Sequence, residues 1–62
     1  MTYVVEYIGG SVDGAREAHA GSPPAVLQVA HPFAFGAYIE RYLVGRHVNG
    51  EYRALYDGWE RR

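Results

Sequence analysis

The stretch YIERYLVGRHVNGEYRALYD, residues 38–57, decides the fold because it predicts a two-stranded antiparallel hairpin. At its centre, Asn49-Gly50 is the preferred pair for a type I′ turn, since both central residues of that turn need a positive φ. Two runs of β-forming residues flank the turn, Tyr38–Val48 before it and Glu51–Tyr56 after it. A two-residue loop fixes which side chains of the two strands face each other.

This loop predicts a register that sorts the hairpin side chains onto two faces. Gly45 lies opposite Ala54, and the shallow gap between these small residues marks their face as the core side. The predicted core face carries His47, Tyr52, Gly45, Ala54, Leu43, Tyr56 and Ile39. The other face carries Tyr42, Val44, Val48, Leu55, Trp59 and an Arg46/Arg53 pair.

The face opposite the predicted core is the candidate interaction surface. Like charges directly opposite each other in a sheet are unfavourable, and Arg46 and Arg53 would be such a pair. Either Glu51 and Asp57 neutralise the pair, or an anionic group on a partner does. Apolar side chains beside arginines and aromatic rings match the composition of interface cores. The interface candidates are Tyr42, Val44, Arg46, Arg53, Leu55 and Trp59.

The N-terminal third predicts a strand, a tight turn and a short second element. Thr2–Ile8 is β-branched and aromatic, which favours a strand. Three glycines in residues 9–14 predict a tight connection. Ala15–Ala20 suits either a short helix or a return strand, and we favour the strand because a helix this short is marginal. Alternation in the first strand places three side chains on one face: Tyr3, Val5 and Tyr7.

The middle of the chain predicts another strand and a turn. Ala25–His31 is apolar on both faces, which is typical of an inner strand, and Pro32–Gly36 is expected to turn a corner. A helix over Phe33–Val44 competes, but Gly36 weakens it and the hairpin needs the same residues. The sequence therefore predicts one all-β domain over residues 1–62. We expect a small twisted antiparallel sheet of four to five short strands, tending toward an SH3-like half-barrel with a C-terminal hairpin.

Size and composition favour self-association. A 62-residue chain buries only about 60% of the surface that its unfolded form exposes. Small domains often gain stability from disulfides, a metal or oligomerisation, and there are no cysteines. We therefore expect a homodimer. The net charge of −1 and the lack of an apolar segment of about 20 residues predict a soluble cytoplasmic protein without membrane contact.

Residues that carry chemistry are too scattered to predict a reaction. The histidines at positions 19, 31 and 47 lack the paired spacing of metal ligands. No nucleophile motif surrounds Ser11 or Ser22, and the glutamates, Glu40 among them, show no local pairing. We expect no enzyme, no metal and no cofactor.

A single-stranded nucleic-acid-binding barrel is the alternative function. Tyrosine and arginine side chains on a small sheet can stack unpaired bases. Because the net charge is −1, we do not expect nucleic acid to be the partner.

One arrangement of turn residues carries a family resemblance. A strand is followed by Gly9-Gly10-x-x-Asp13-Gly14, and the Tyr/Arg-rich hairpin ends in Tyr56-Asp57-Gly58-Trp59. The chain thereby resembles small uncharacterised proteins of actinobacteriophages, which read Gly-Gly-Pro-x-Asp-Gly near the N-terminus, with Ser11 here in place of the proline. The resemblance implies a phage-encoded accessory protein inside a bacterial host, and it brings no site residues. Taking this together with the candidate interaction surface, we expect a binding module that engages a host or phage protein.

Overall fold

Five β-strands form one curled sheet in this computed structural model. It describes residues 1–34, 36–46 and 50–61, and for Phe33 the backbone alone. The strands lie side by side in the order β2-β1-β5-β4-β3. The all-β half-barrel class is confirmed. The strand bounds are β1 Thr2–Ile8, β2 Arg16–Ala20, β3 Val26–Phe33, β4 Gly36–Arg46 and β5 Tyr52–Arg61.

The sheet is mixed, which corrects the expectation of a wholly antiparallel one. Neighbouring strands β1–β2, β3–β4 and β4–β5 are antiparallel. The first and last strands are parallel, with Val5 opposite Tyr52 and Tyr7 opposite Ala54. A parallel pair is joined by a long crossover and not by a tight turn. No local turn signal therefore marks it in the sequence.

The structure settles the open alternatives in the first two thirds of the chain. The return strand is confirmed as β2. The described residues of the competing helix, 33–34 and 36–44, are not helical but belong to the β3–β4 hairpin, in which Phe33 is opposite Gly36. The prediction of an inner strand at Ala25–His31 was wrong, because β3 is an edge strand that pairs with β4 alone. An edge position also suits Pro32, because proline has no N–H to donate to a second neighbouring strand.

The register of the C-terminal hairpin differs from the predicted one by one residue. Val44 lies opposite Ala54, Gly45 opposite Arg53 and Arg46 opposite Tyr52. Residues 47–51 therefore connect the last described pair. A slip of one residue moves one strand's side chains to the other face, and burial of the bulky inner-face residues selects this pairing.

The predicted turn is only partly visible. Gly50 has a φ of +76°, which suits glycine. Asn49 lies outside the described residues, as do His47 and Val48, so the predicted turn type and their faces remain predictions.

The core lies on the concave inner face of the sheet. The predicted grouping of Tyr3, Val5 and Tyr7 on one face of β1 is confirmed, since Val5 and Tyr7 are buried and Tyr3 packs against them. Tyr42 is completely buried and meets the Tyr7 ring edge-on at 5.0 Å between ring centroids. Such an aromatic pair stabilises a fold by about 0.5–1.5 kcal/mol beyond the contribution of the surface area that it buries. The buried cluster comprises Val5, Tyr7, Tyr42 and Ala54, surrounded by Tyr3, Val12, Leu27, Val29, Val44 and Tyr52.

A β-bulge bends the long β4–β5 ladder. Tyr42 is opposite Tyr56 while Arg41 is opposite Gly58, so Asp57 is the extra residue. Gly58 adopts a φ of +115°, a conformation that other residues rarely take. A bulge increases local twist and re-aims side chains. Because of it, Tyr56 and Trp59, three residues apart, both face the inner side.

The register can be tested with an engineered disulfide, since the chain has no cysteine of its own. Leu43 lies opposite Leu55 in the structure but opposite Tyr56 in the predicted register. We expect Leu43→Cys/Leu55→Cys to oxidise readily and to raise the unfolding temperature, because opposite Cβ atoms in an antiparallel pair are about 4.5–5.5 Å apart.

The control is Leu43→Cys/Tyr56→Cys, whose side chains point to opposite faces and should stay reduced. Mass spectrometry of the two oxidised samples distinguishes them. Efficient closure of the control pair and not of the first would contradict the structure.

Candidate functional site

The loop between β1 and β2 folds across the end of the sheet and reaches β4. Inside the loop, the Gly9 N–H donates to Asp13 Oδ1 at 2.6 Å and the Gly14 N–H donates to the Tyr7 carbonyl at 2.8 Å. The Tyr42 hydroxyl donates to the Gly9 carbonyl at 3.0 Å. These bonds hold the loop against two buried tyrosines.

Gly10 allows this close approach. A Cβ at Gly10 would lie 2.7 Å from Tyr56 Cδ1 and 2.8 Å from Glu40 Oε2, and closer still to the Tyr42 hydroxyl. Its φ of +71° is also one that side chains other than glycine's rarely adopt. The position therefore needs glycine both for space and for conformation.

Glu40 is a buried carboxylate at the junction of this loop with β3 and β4, with 4% of its surface exposed. The Ser11 N–H donates to Oε2 at 3.0 Å, and the Ser11 hydroxyl and His31 Nε2 both contact Oε1, the histidine at 2.6 Å. Burial alone would raise the pKa of Glu40, but the hydrogen bonds from Ser11 and His31 outweigh it and lower that pKa. Glu40 is therefore a satisfied, ionised group at neutral pH.

Ser11, His31 and Glu40 contain the residue types of a hydrolytic triad without its geometry. In a triad the serine and the acid contact different nitrogens of the histidine. Here His31 Nε2 lies 3.0 Å from Ser11 Oγ and 2.6 Å from Glu40 Oε1. An ionised carboxylate only accepts, so Nε2 carries the proton and has no lone pair to take one from Ser11. The cluster is built to hold the loop and not to activate a nucleophile.

Beside this cluster, the inner face opens into a cleft of about 330 Å³ lined by Tyr38, Glu40, Tyr56 and Trp59, the inner-face cleft. The rings of Tyr38 and Trp59 stand at 74° to each other with centroids 5.8 Å apart, so they form adjoining walls. His31 stacks on Tyr38 at 4.6 Å and 18°. Aromatic walls and one carboxylate are thus combined in a single concave site.

The outer face carries a row of exposed aliphatic side chains across four neighbouring strands. Ile8 of β1 is opposite Leu55 of β5, Leu55 is opposite Leu43 of β4, and Leu43 is opposite Val26 of β3. Their exposed fractions are 36%, 50%, 46% and 42%. An unbroken apolar row of this kind is typical of an interaction surface. We call Ile8, Leu55, Leu43 and Val26 the outer row.

The structure divides the six interface candidates between the two faces. Tyr42 is in the core and Val44 packs against it, so the prediction that these two lie on a free surface is corrected. Trp59 is in the inner-face cleft. Leu55 belongs to the outer row, on the same face as Arg53. The one-residue change of register accounts for Tyr42 and Val44, and the β-bulge at Asp57 accounts for Trp59.

The predicted Arg46/Arg53 pair does not form. Arg46 is exposed opposite Tyr52, and Arg53 is opposite Gly45. Arg53 Nε lies 3.8 Å from Glu6 Oε1. No like-charge repulsion between these two arginines therefore needs to be neutralised.

Sequence reasoning did not bring Ser11, His31 and Glu40 together, and it missed most of the outer row. Ser11, His31 and Glu40 are 20 and 9 residues apart and meet only because of the fold. A signal was available for Glu40, since alternation places it on the same face as Tyr38 and Tyr42, where a lone carboxylate needs partners. The residues of the outer row come from four strands, and their alignment depends on the parallel β1–β5 pair.

The histidines occupy separate places. His19 stacks on Tyr3 at 5.4 Å on the inner face. It lies on the edge strand β2, whereas His31 lies on the opposite edge strand, β3. His47 lies outside the described residues. Among residues 1–34, 36–46 and 50–61, no group of three or more histidine, aspartate and glutamate side chains is placed to hold a metal ion.

Two glycines of the same loop allow a test of the close approach at Gly10. Gly14 has a similar φ of +86° but nothing within 4 Å of a Cβ. We expect Gly14→Ala to lower the free energy of unfolding by about 1–2 kcal/mol through backbone conformation alone. Gly10→Ala should cost about 1–3 kcal/mol more because it also overpacks the site. Urea unfolding of both variants measures the difference, and equal losses would show that the loop does not lie against Tyr42 and Tyr56.

Glu40 should make stability depend on pH. Because its pKa is lowered on folding, the carboxylate stabilises the fold above its unfolded pKa, and this contribution is lost as the pH falls through the folded pKa. Between pH 6 and pH 3, wild type should lose more thermal stability than Glu40→Gln. At pH 7 the variant should be less stable by about 1–3 kcal/mol, because an amide satisfies fewer of the donors.

The matched control is Glu60→Gln, an exposed carboxylate on β5. Its unfolding temperature should follow the wild-type pH dependence. A Glu40→Gln profile parallel to wild type would mean that the buried carboxylate contributes nothing.

Within the part of the chain that the structure describes, no helix has the length and apolar character to cross a membrane. Comparison of the chain with known protein families, with curated proteins and with solved structures gives no match.

Proposed function

We propose that this protein is a non-enzymatic binding module that self-associates and contacts other proteins through its outer face. The observation that carries the proposal is the outer row, four exposed aliphatic side chains aligned across four strands. A single sheet covers one face with its own curl and leaves the second to solvent or to a partner. The proposal keeps the predicted homodimer and moves its surface from the Tyr42 side to the Leu55 side.

A homodimer interface of ordinary size would take up a modest share of this chain's surface. A standard interface buries about 800 Å² on each partner, which is about a fifth of this chain's accessible surface of 4291 Å². Two copies related by a twofold axis would place one outer row against the other, because a single self-complementary surface then serves both subunits.

Two arginines of the outer face have acidic neighbours within this chain. Arg53 lies near Glu6 at 3.8 Å, and Arg16 is paired with Glu51 at 2.7 Å. Both pairs are partly exposed, so each adds little to stability. Because each of these two arginines already has an acidic neighbour, neither needs a counter-charge from a second copy that packs against this face.

The same face would serve a host or phage protein as the second partner. The resemblance to actinobacteriophage proteins supports an accessory role in the cytoplasm of a bacterial host. Binding to single-stranded nucleic acid is less well supported. Most aromatic rings are on the inner face, with the Glu40 carboxylate. Among the described arginines, Arg16 and Arg53 belong to the outer face, whereas Arg46 and Arg61 are on the inner face at opposite ends of the β4–β5 ladder. The rings therefore do not border one continuous strip of positive charge of the kind that follows a nucleic-acid backbone.

Light scattering after size exclusion tests the dimer. Wild type should run at twice the mass of 6.9 kDa at high micromolar concentration, and Leu43→Glu and Leu55→Glu should each run as monomers with an unchanged β-type circular dichroism spectrum. Two such charges across a twofold contact would be desolvated without partners, which typically weakens an interface by more than about 100-fold.

The control is Trp59→Ser, an exposed change on the inner face that should leave the dimer intact. Monomeric wild type at high micromolar concentration would overturn self-association. A dimer that survives both outer-row charges but dissociates in Trp59→Ser would place the interface on the inner face.

A further inference from the structure

The inner-face cleft combines aromatic rings that a small protein would be expected to bury with a carboxylate that is seldom buried. Trp59 is 60% exposed and Tyr56 39% exposed, while Glu40 beside them is 4% exposed. Burying aromatic rings is among the largest gains available to a short chain. Aromatic rings that stay exposed to solvent around a concave space of about 330 Å³ therefore indicate a ligand-binding site.

The ligand that suits these walls is a cation. The face of an aromatic ring attracts positive charge, and Trp is the strongest of the aromatic side chains in this respect. Glu40 adds a full negative charge in a place where water screens it little. Rings and carboxylate thus favour the same sign of charge in one cleft.

The hydrogen bonds of Glu40 specify the kind of cation. A carboxylate has about four lone-pair positions, and three of them already accept bonds from the Ser11 N–H, the Ser11 hydroxyl and His31. A primary ammonium, with three N–H donors, would find little capacity left. A quaternary ammonium has no N–H, and its methyl groups pack on ring faces. We propose that the inner-face cleft binds a quaternary ammonium group.

The surroundings of the cleft fix its geometry and its net charge. His31 stacks on one face of Tyr38 at 4.6 Å and holds that wall in place. Arg61 is opposite Tyr38 in the β4–β5 ladder, which places a positively charged residue on the same face as the cleft. Arg61→Gln should therefore tighten binding of a cation, whereas it would not affect binding of a neutral ligand.

Fluorescence of Trp59, the single tryptophan, reports binding directly. Choline chloride and its neutral isostere 3,3-dimethylbutan-1-ol have the same shape and differ in charge. At pH 8, with sodium chloride holding the ionic strength constant, choline should give a saturable change. The isostere should bind at least about ten-fold more weakly. Equal binding of the two, or no saturable change with choline, would overturn the proposal.

Variants locate the site and keep the test independent of folding. Binding is followed by the N-methyl proton signal of choline, because Trp59→Leu removes the fluorophore. We expect Trp59→Leu to weaken binding about five-fold or more and Trp59→Phe to restore part of it. Glu40→Gln should weaken binding with its circular dichroism spectrum retained. Val4→Ser, on the outer face but outside the outer row, is the matched control and should bind as wild type does.

Two ligands that both carry a quaternary ammonium group show whether the natural ligand is a small molecule or a modified protein. Choline represents a free small cation, and N-acetyl-trimethyllysine amide represents a modified protein side chain. A ten-fold preference for the lysine derivative over choline would assign the cleft to a methylated protein, and the reverse to a small metabolite. Saturable quenching by a nucleoside monophosphate without any by choline would instead show base stacking and overturn the proposal. Because the cleft and the outer row lie on opposite faces, loss of the dimer leaves this outcome unchanged.

Discussion

The parallel pairing of β1 with β5 is the contact on which the rest of the structure depends. Without it the chain would consist of the β1–β2 hairpin and the β3–β4–β5 meander, neither of which has a second layer to cover its apolar face. With it, Val5 and Tyr7 lie beside Tyr52 and Ala54 in the centre of one curled sheet. Tyr42 then closes the core against Tyr7. The first and last strands of a 62-residue chain thereby become its interior.

The second link between the two halves is polar. The β1–β2 loop crosses to β4, where Ser11 and His31 supply donors to the Glu40 carboxylate. Burying the carboxylate without hydrogen-bond donors would destabilise the fold by several kcal/mol. The fold is therefore stable only when the loop is in the position that brings Ser11 to Glu40. Gly10 makes the crossing possible because a side chain at that position would overlap with Tyr56 and Glu40.

The two faces of the sheet carry different chemistry, and this separation shapes both proposals. The inner face holds the core and, at one end, a cleft of three rings and a carboxylate. The outer face holds four aliphatic side chains in a row, with Arg16 and Arg53 each near an acid. A surface of the first kind suits a small cation, and one of the second kind suits another protein. The sheet is a single layer, and the inner-face cleft and the outer row are on its two sides. A ligand in the cleft and a protein on the outer row can therefore bind independently.

Local sequence determined the strands of this protein. β-branched and aromatic residues specify β1, the glycines after it specify the turn that returns the chain as β2, and the runs around Gly50 specify a C-terminal hairpin. The division of β1 into two faces also follows from sequence, since alternation alone separates Val5 and Tyr7 from Ile8. Which of these faces points inward is decided by the neighbouring strands. These features could be predicted because each depends on residues a few positions apart.

Tertiary structure decided everything that depends on which strands are neighbours. The register of β4 against β5 buries Tyr42 and Ala54 together and differs from the predicted one by one residue. The predicted faces of β4 are therefore exchanged, whereas those of β5 are kept as far as Tyr56. The outer row exists only because β1 lies beside β5. Likewise, Glu40 acquires its donors from residues 29 and 9 positions away. A sequence lists the groups that need partners, but distant strands find each other through the total area they bury, which no local pattern records.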